Sequence, residues 1–166
     1  MGERGRSARC RSQHPVGRGR ARVTARPRTL LGFDYGLRRI GIAVGQELTG
    51  TANPLETLQI PDRGLDWNAI SALIEEWQAD ALVVGVPFNM DGTEHEMTLA
   101  ARRFARRLQG RYGLPVYEID ERLSSVEAGH ALRQRGQKTG RKHERGQIDC
   151  EAAQIILQTW LNEHAR

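Results

Sequence analysis

The chain has 166 residues, of which 39% are apolar and 27% are charged. This length and composition suit one domain with a sizeable core. No stretch approaches the roughly 18 apolar residues that span a bilayer, and the N-terminus lacks the apolar segment of a secretory signal. Cys10 and Cys150 make no ligand-spaced pair, so we expect free thiols in a reducing compartment, not a disulfide or a zinc site. We therefore expect a cytoplasmic protein without a membrane segment.

The positive charge is concentrated at the N-terminus. Residues 1–28 carry nine arginines and one acid, Glu3, for a net charge of +8, which leaves −3 of the total +5 for residues 29–166. This Arg-rich extension has no apolar periodicity, so we predict that it is disordered. A solvated extension without function is the favoured interpretation, and a basic arm for nucleic acid or an organellar transit peptide are the alternatives. A single ordered domain is predicted for residues 29–166.

The first part of this domain has the pattern of an antiparallel meander. Apolar runs at Leu30–Asp34 and Ile40–Val44 are separated by a Gly-containing connection, as in a hairpin. A third strand is predicted at Thr51–Gln59, and Pro54 indicates that it lies at an edge of the sheet.

The remainder alternates between helical and strand periodicity. It predicts a helix after the N-cap residue Asp66, a strand at Ala81–Val86, a helix from the capping box Thr93–Glu96 to Gly110, a strand at Val116–Asp120, a helix from the capping box Ser124–Glu127 to Gly136, and a last helix over about Gln147–Glu163. The fold class is therefore α/β, with a mixed five-stranded sheet of antiparallel meander and parallel strands, flanked by helices.

Acidic residues stand where buried strands end and where the last helix begins. Asp34 ends the first strand, Asp120 and Glu121 follow the fifth, and Asp149 falls in the first turn of the last predicted helix. Each alone has an ordinary explanation as a turn residue, a polar strand end or a charge that suits the helix dipole. Because parallel strands bring their C-terminal ends to one edge of a sheet, we expect these acids to meet there.

A cluster of carboxylates predicts a metal site. Crowded carboxylates repel, which raises the pKa of at least one of them unless a cation compensates. Hard divalent ions such as Mg²⁺ or Mn²⁺ take oxygen ligands, and two of them roughly 3.5–4 Å apart can activate water and stabilise the leaving oxygen of a phosphodiester. The pattern therefore indicates metal-dependent phosphodiester hydrolysis without a protein nucleophile.

Four motifs resemble those of the YqgF (RuvX) family, whose members are described as pre-16S rRNA nucleases and Holliday-junction-resolvase-like proteins. They are Phe33–Gly36 with Ile40–Gly45 and the following Thr49–Leu55 segment, Val84–Thr93, Asp120–Ser125, and Ile148-Asp149 with Ala152-Ala153. The match runs from about Leu31 to the C-terminus. The last motif departs from the family pattern, because Gln147 and Cys150 stand where a basic residue and a small hydroxyl are usual.

The resemblance implies a ribonuclease H-like fold and a site that uses Mg²⁺ or Mn²⁺. It implies that Asp34, Glu121 and Asp149 are the catalytic acids and metal ligands, with Asp120 an alternative in the same motif. The implied role is cytoplasmic 5′-end processing of pre-16S rRNA in ribosome biogenesis, with pre-ribosomal RNA as the partner.

Further residues are candidates for substrate binding. Asn89 lies in the loop after the fourth strand, where turn chemistry is the alternative, and Arg122 follows Glu121 directly, where a surface salt bridge is the alternative. A basic segment before Asp149 is interpreted as a phosphate clamp, with Lys138, Arg141, Lys142 and Arg145 as its candidate residues. The four arginines Arg102, Arg103, Arg106 and Arg107 are interpreted as a solvated helix face.

Other functions remain open on the sequence. A Holliday junction resolvase acting on structured DNA would use the same chemistry but needs a stable dimer, whereas the sequence shows no obvious dimer surface and predicts a monomer or weak dimer. A catalytically idle RNA-binding scaffold could keep the same fold. An actin-like kinase also has an Asp-x-Gly hairpin, but it needs two such domains, and about 138 ordered residues supply one.

Overall fold

The computed structural model describes residues 26–123 and 142–164, with side chains of the second range described from Gly146 onward. The five strands are β1 (Thr29–Tyr35), β2 (Arg39–Gln46), β3 (Thr51–Gln59), β4 (Ala81–Val86) and β5 (Val116–Asp120). The helices within the described residues are α1 (Trp67–Trp77), α2 (Glu96–Tyr112) and α3 (Lys142–His164). The helix predicted at Ser124–Gly136 lies outside the described residues.

The strands form one sheet in the order β3-β2-β1-β4-β5. β1 pairs antiparallel with β2, which pairs antiparallel with β3, whereas β1–β4 and β4–β5 are parallel. This is the predicted meander extended by two parallel strands, so the expected ribonuclease H-like fold is confirmed. Pro54 lies in the edge strand β3 as predicted, beside a register shift opposite Ile42 and Ala43.

Each face of the sheet packs against its own helices. Alternation along β1 sends Leu31 and Phe33 to one face, where they join a core with α1 and α2. Leu30 lies on the other face, in a core that includes Ala153 and Leu157 of α3. Asp34 also lies on the α3 face, because side chains alternate along a strand and Asp34 is four residues after Leu30.

Three helix boundaries differ from the sequence prediction. α2 is capped by His95, whose Nδ1 accepts a hydrogen bond from the Met97 amide at 3.2 Å, and it ends at Gly113 instead of Gly110. Thr93 does not cap it, because the Thr93 hydroxyl is engaged by Asp91 at 2.6 Å. α3 begins at Lys142 instead of Gln147, so Asp149 lies two turns inside the helix and not in its first turn.

Two arginines before β1 contact residues of the domain. Arg28 donates hydrogen bonds to Glu47 and to Tyr117 at 2.9 Å, and Arg26 forms an ion pair of 2.7 Å with Asp80. Both arginines were assigned to the extension because they continue its arginine-rich composition. The partners are distant in sequence, so no local pattern shows these contacts.

Within the two described ranges, no helix combines the length and the apolar character needed to cross a bilayer.

Candidate active site

Asp34 lies near the C-terminal end of β1, on the sheet face that α3 covers. Its exposed fraction is 8%, which makes it one of two buried polar or charged side chains in the described part of the chain. Its cross-strand partner on β2 is Gly41. A carboxylate buried at this depth is costly unless polar groups or a cation stabilise it.

Asp149 is brought to the same place by close packing of α3 on β2. A Cβ atom built on Gly41 would lie 1.8 Å from the main-chain oxygen of Asp149. The helix backbone therefore rests directly on the strand, at the residue opposite Asp34. Two acids that are far apart in sequence become neighbours through one glycine.

Glu121 reaches this region from the end of β5. Its amide donates a hydrogen bond of 3.0 Å to the Val86 carbonyl, which extends the parallel pairing beyond the strand. Its carboxylate Oε1 lies 3.0 Å from the position of a Cβ atom on Gly85, which also faces Ile156 of α3. Because Phe33 pairs with Val84, Gly85 follows at the level of Asp34. The three predicted acids thus lie at one edge of the sheet, on its α3 side.

Arg39 is the residue of this site that the sequence analysis missed. Its Nε donates to Asp149 Oδ2 at 2.7 Å, and the two side chains are 31% and 21% exposed. Arg39 begins β2 two residues before Gly41, so both positions share a face of the strand. In the sequence, the signal for such a residue is a basic side chain two positions before a glycine in a predicted strand. The contact itself joins residues that are 110 positions apart.

The donor chemistry fits a divalent ion, although the present arrangement is not a closed metal site. Carboxylate oxygens are the ligands that Mg²⁺ and Mn²⁺ accept. Among the described side chains, those of residues 26–123 and 146–164, however, no three His, Cys, Asp or Glu are grouped so that they could hold one ion. In this arrangement the Asp149 carboxylate is paired with Arg39.

Asp120 is held by its own neighbour. The Arg122 side chain donates to both carboxylate oxygens of Asp120, with Nε at 3.1 Å from Oδ1 and Nη2 at 2.6 Å from Oδ2. These hydrogen bonds lower the pKa of Asp120 below its usual value. The same guanidinium lies 5.4 Å from the centre of the Phe88 ring. Arg122 therefore ties the end of β5 to the loop after β4.

Comparison with known proteins identifies the family. A family described as "RuvX: Holliday junction resolvase" matches residues 28–163. The chain belongs to the RuvX family.

Relatives across bacteria carry one name. A protein of Nitrosococcus oceani named "Putative pre-16S rRNA nuclease" is 55% identical over 139 residues, which is 84% of this chain and 90% of that protein. One of Pseudomonas fluorescens with the same name is 50% identical over 137 residues, covering 82% and 94%. A solved structure, T. thermophilus RuvC in complex with Holliday junction substrate, aligns at 17% identity and a TM-score of 0.47 over 83% of this chain and 97% of that one.

The structure describes the surroundings of only some of the candidate substrate-binding residues of this RuvX chain. Asn89 is part of a turn: its amide group donates to the Thr93 hydroxyl at 2.8 Å, and its main-chain oxygen accepts from Gly92 at 2.9 Å. This is the turn chemistry that the sequence analysis gave as the alternative. In the basic segment, Lys138 and Arg141 lie outside the described residues, and Lys142 and Arg145 lie in the first turn of α3 with side chains that are not described.

Cys150, which departs from the RuvX motif, follows Asp149 on α3. It is buried, and its thiol donates to the Gln147 carbonyl at 3.0 Å. Burial raises the pKa of the thiol. The residue is therefore a protonated, packed side chain, and its difference from the motif leaves the carboxylates in place.

One cavity among the described residues lies away from the acidic site. A hollow of about 420 Å³ is bordered by α2, β5 and the end of α3, including Arg106, Tyr117 and His164. Tyr117 is near the start of β5, whereas Glu121 follows its end. The hollow is thus not part of the acidic site.

Proposed function

We propose that this chain hydrolyses phosphodiester bonds in RNA and acts in the 5′-end processing of pre-16S rRNA during ribosome biogenesis. The observation that carries the proposal is the placement of Asp34, Glu121 and Asp149 at one sheet edge in a member of the RuvX family. The name of the relatives supports the choice of RNA. We assign this RNA processing to the cytoplasm, where bacteria process their ribosomal precursors.

The three acids are assigned as the ligands of Mg²⁺ or Mn²⁺. Bound there, such an ion activates water and stabilises the leaving oxygen of a phosphodiester. The protein contributes position: β1 fixes Asp34, the extended β5 pairing fixes Glu121, and the contact of α3 with Gly41 fixes Asp149. No side-chain nucleophile is needed, because water attacks phosphorus.

Substrate contacts are assigned to basic residues around the acids. Arg122 lies beside Glu121 and presents a guanidinium that can bind phosphate oxygens. The segment with Lys138, Arg141, Lys142 and Arg145 precedes Asp149 by a few residues and supplies positive charge for the backbone. Asn89, which is held in its turn by Thr93 and Gly92, is assigned as a further substrate contact in the loop after β4.

Cleavage of an end-labelled pre-16S rRNA fragment tests the proposal. Wild type with Mn²⁺ is expected to cut, wild type with EDTA is not, and Asp34→Asn is expected to lose at least about 100-fold in rate, since loss of a metal-site group costs at least this order. Asp62→Asn, the same change in an exposed loop, is the matched control and keeps full activity. Calorimetric titration with Mn²⁺ adds a readout independent of cleavage, and Asp34→Asn is expected to bind the ion more weakly.

A synthetic four-way DNA junction in the same assay tests the second function. The family description favours including it. Junction resolution needs paired cuts and hence a dimer, whereas hydrolysis of one RNA bond needs a single set of acids and fits a monomer or weak dimer. Cleavage of the junction alone would replace the RNA proposal. Binding of RNA without any cleavage by folded protein would favour an idle scaffold.

A further inference from the structure

Helix α2 is strongly basic in an otherwise acidic domain. It carries five arginines and one acid, Glu96, for a net charge of +4, whereas residues 29–166 together have a net charge of −3. Arg102 is paired with Glu94 and lies 3.6 Å from Glu118. Arg111 lies 4.2 Å from the centre of the Trp67 ring. Within the described residues, the other three arginines form no ion pair and no ring contact of this kind.

These three form one exposed surface, which we call the α2 arginine face: Arg103, Arg106 and Arg107. They stand at spacings of three and four residues, so they are neighbours on the helix. All three are exposed, opposite the buried residues Phe104 and Leu108. In the part of the chain that the structure describes, no carboxylate lies within 4.0 Å of any of them.

The spacing of like charges works against the helix itself. Arg102 and Arg106, Arg103 and Arg107, and Arg107 and Arg111 are each four residues apart, and like-charged pairs at this spacing destabilise a helix. A face kept only for solubility would carry both signs of charge. An anionic partner explains the arrangement, because it would relieve the repulsion.

Helix α2 runs away from the sheet edge that carries the acids. α2 begins after the loop that leaves the C-terminal end of β4, and it ends where Pro115 meets Leu82 at the start of that strand. Although α2 packs on the sheet face opposite the acids, its first turn lies near the sheet edge that carries them. Arg103 follows about 10 Å further along the axis. Gly110 continues the same face, and a Cβ atom there would meet nothing within 4 Å.

We propose that the α2 arginine face binds the sugar-phosphate backbone of the nucleic acid substrate, away from the bond that is cut. The inference rests on the proposed nuclease function and adds a second contact to it. A strand cut at the acids would pass over the sheet edge at the loop after β4 and continue along α2. Such a contact reads charge and not base sequence.

The salt dependence of RNA binding tests this contact. Fluorescence anisotropy with a labelled pre-16S rRNA fragment in EDTA measures the dissociation constant from 50 to 300 mM salt without cleavage. Each phosphate contact to single-stranded RNA contributes about 0.7 to the slope of log K against log salt. The triple variant R103Q/R106Q/R107Q is expected to reduce the slope by about 2 and to weaken binding at least about tenfold at low salt.

The matched control is R103K/R106K/R107K, which keeps the charge and is expected to bind nearly as wild type. The glutamine variant is expected to keep its helical circular dichroism and its cleavage rate at saturating RNA, since these residues lie away from the acids. A wild-type slope in the glutamine variant would overturn the proposal. Equal loss in the lysine variant would do the same, because it would point to a specific structural contact.

The two proposals fail in different ways. If wild type binds RNA with the expected slopes but cleaves nothing, the nuclease function fails and the α2 contact stands. If wild type cleaves RNA and the glutamine variant binds it unchanged, the α2 contact alone fails.

Discussion

Arg39 and a divalent ion would compete for one carboxylate. The Arg39 guanidinium is 2.7 Å from Asp149 Oδ2, and both side chains are partly exposed to solvent. Solvent screening limits such a pair to about 1 kcal/mol or less. Arg39 therefore neutralises Asp149 and fixes its direction, and it remains replaceable by a stronger cation.

We expect Arg39→Gln to raise the affinity for Mn²⁺ by up to about fivefold, because that factor corresponds to about 1 kcal/mol. Calorimetric titration of the purified variant measures this directly. Arg38→Gln is the matched control, since Arg38 is the adjacent exposed arginine of the same hairpin, and its affinity should stay at the wild-type value. Weaker Mn²⁺ binding in Arg39→Gln would show that the arginine orients Asp149 for the ion instead of competing with it.

At the level of elements, the site depends on how closely α3 approaches the sheet. Gly32, Gly41 and Gly45 all present bare backbone to α3, with contacts from 1.8 to 2.8 Å for a Cβ atom built at each. At Gly41 the opposing atoms belong to the helix backbone, which cannot rotate away. Any side chain there must displace the helix, and Asp149 moves with it.

Gly41→Ala is expected to lower the free energy of unfolding by at least the 1–3 kcal/mol typical of overpacking, and to impair cleavage. Urea denaturation and the RNA assay measure the two effects. Gly110→Ala is the control, since Gly110 is a helical glycine with nothing within 4 Å of an added Cβ. It should raise stability by about 0.5–1 kcal/mol through the helical preference of alanine. Wild-type stability in Gly41→Ala would contradict the close packing of α3.

The strands were predictable because their signal is local. Ala81–Val86 is a continuous apolar run, and the structure has a strand with the same bounds. The start of α3 was placed five residues late, since Lys142–Gly146 has no apolar periodicity and contains a glycine. The sequence also predicted that the acids share one edge of the sheet, because the C-terminal ends of parallel strands lie at the same edge. The Arg39–Asp149 pair did not, because it depends on how a helix seats on a strand.

At the scale of the whole molecule, charged side chains connect the segment before β1 to the rest of the domain. Arg28 joins β5 and the turn after β2 through Tyr117 and Glu47, and its guanidinium lies 5.8 Å from the centre of the Trp160 ring in α3. Arg26 and the Thr29 amide bind Asp80 before β4. The segment before β1 is therefore connected by ion pairs and hydrogen bonds to the turn after β2, to the residue before β4 and to β5.

These contacts make stability depend on pH. Burial alone raises the pKa of Glu47, but hydrogen bonds from Arg28 outweigh it and lower the pKa below its usual value of 4.5. Asp80 is likewise desolvated, and its hydrogen bonds to Thr29 and Arg26 lower its pKa below 3.8. A carboxylate with a lowered pKa in the folded state stabilises the protein above its unfolded pKa. This contribution is lost as the pH falls through the folded value.

Glu47→Gln separates this contribution from the rest. At pH 7 the variant is expected to unfold with a free energy lower by about 1 kcal/mol or less, because the lost pair is partly exposed. As the pH falls below 4.5 and through the lowered pKa of the folded state, wild-type Glu47 becomes protonated and neutral like glutamine, so the two curves of unfolding free energy against pH should converge. Urea denaturation from pH 7 to pH 3 measures them. Glu75→Gln removes the same charge from the exposed side of α1 and controls for total charge. A constant offset between wild type and Glu47→Gln at every pH would mean that Arg28 stabilises the domain through packing on Tyr117 and Trp160, and not through its charge.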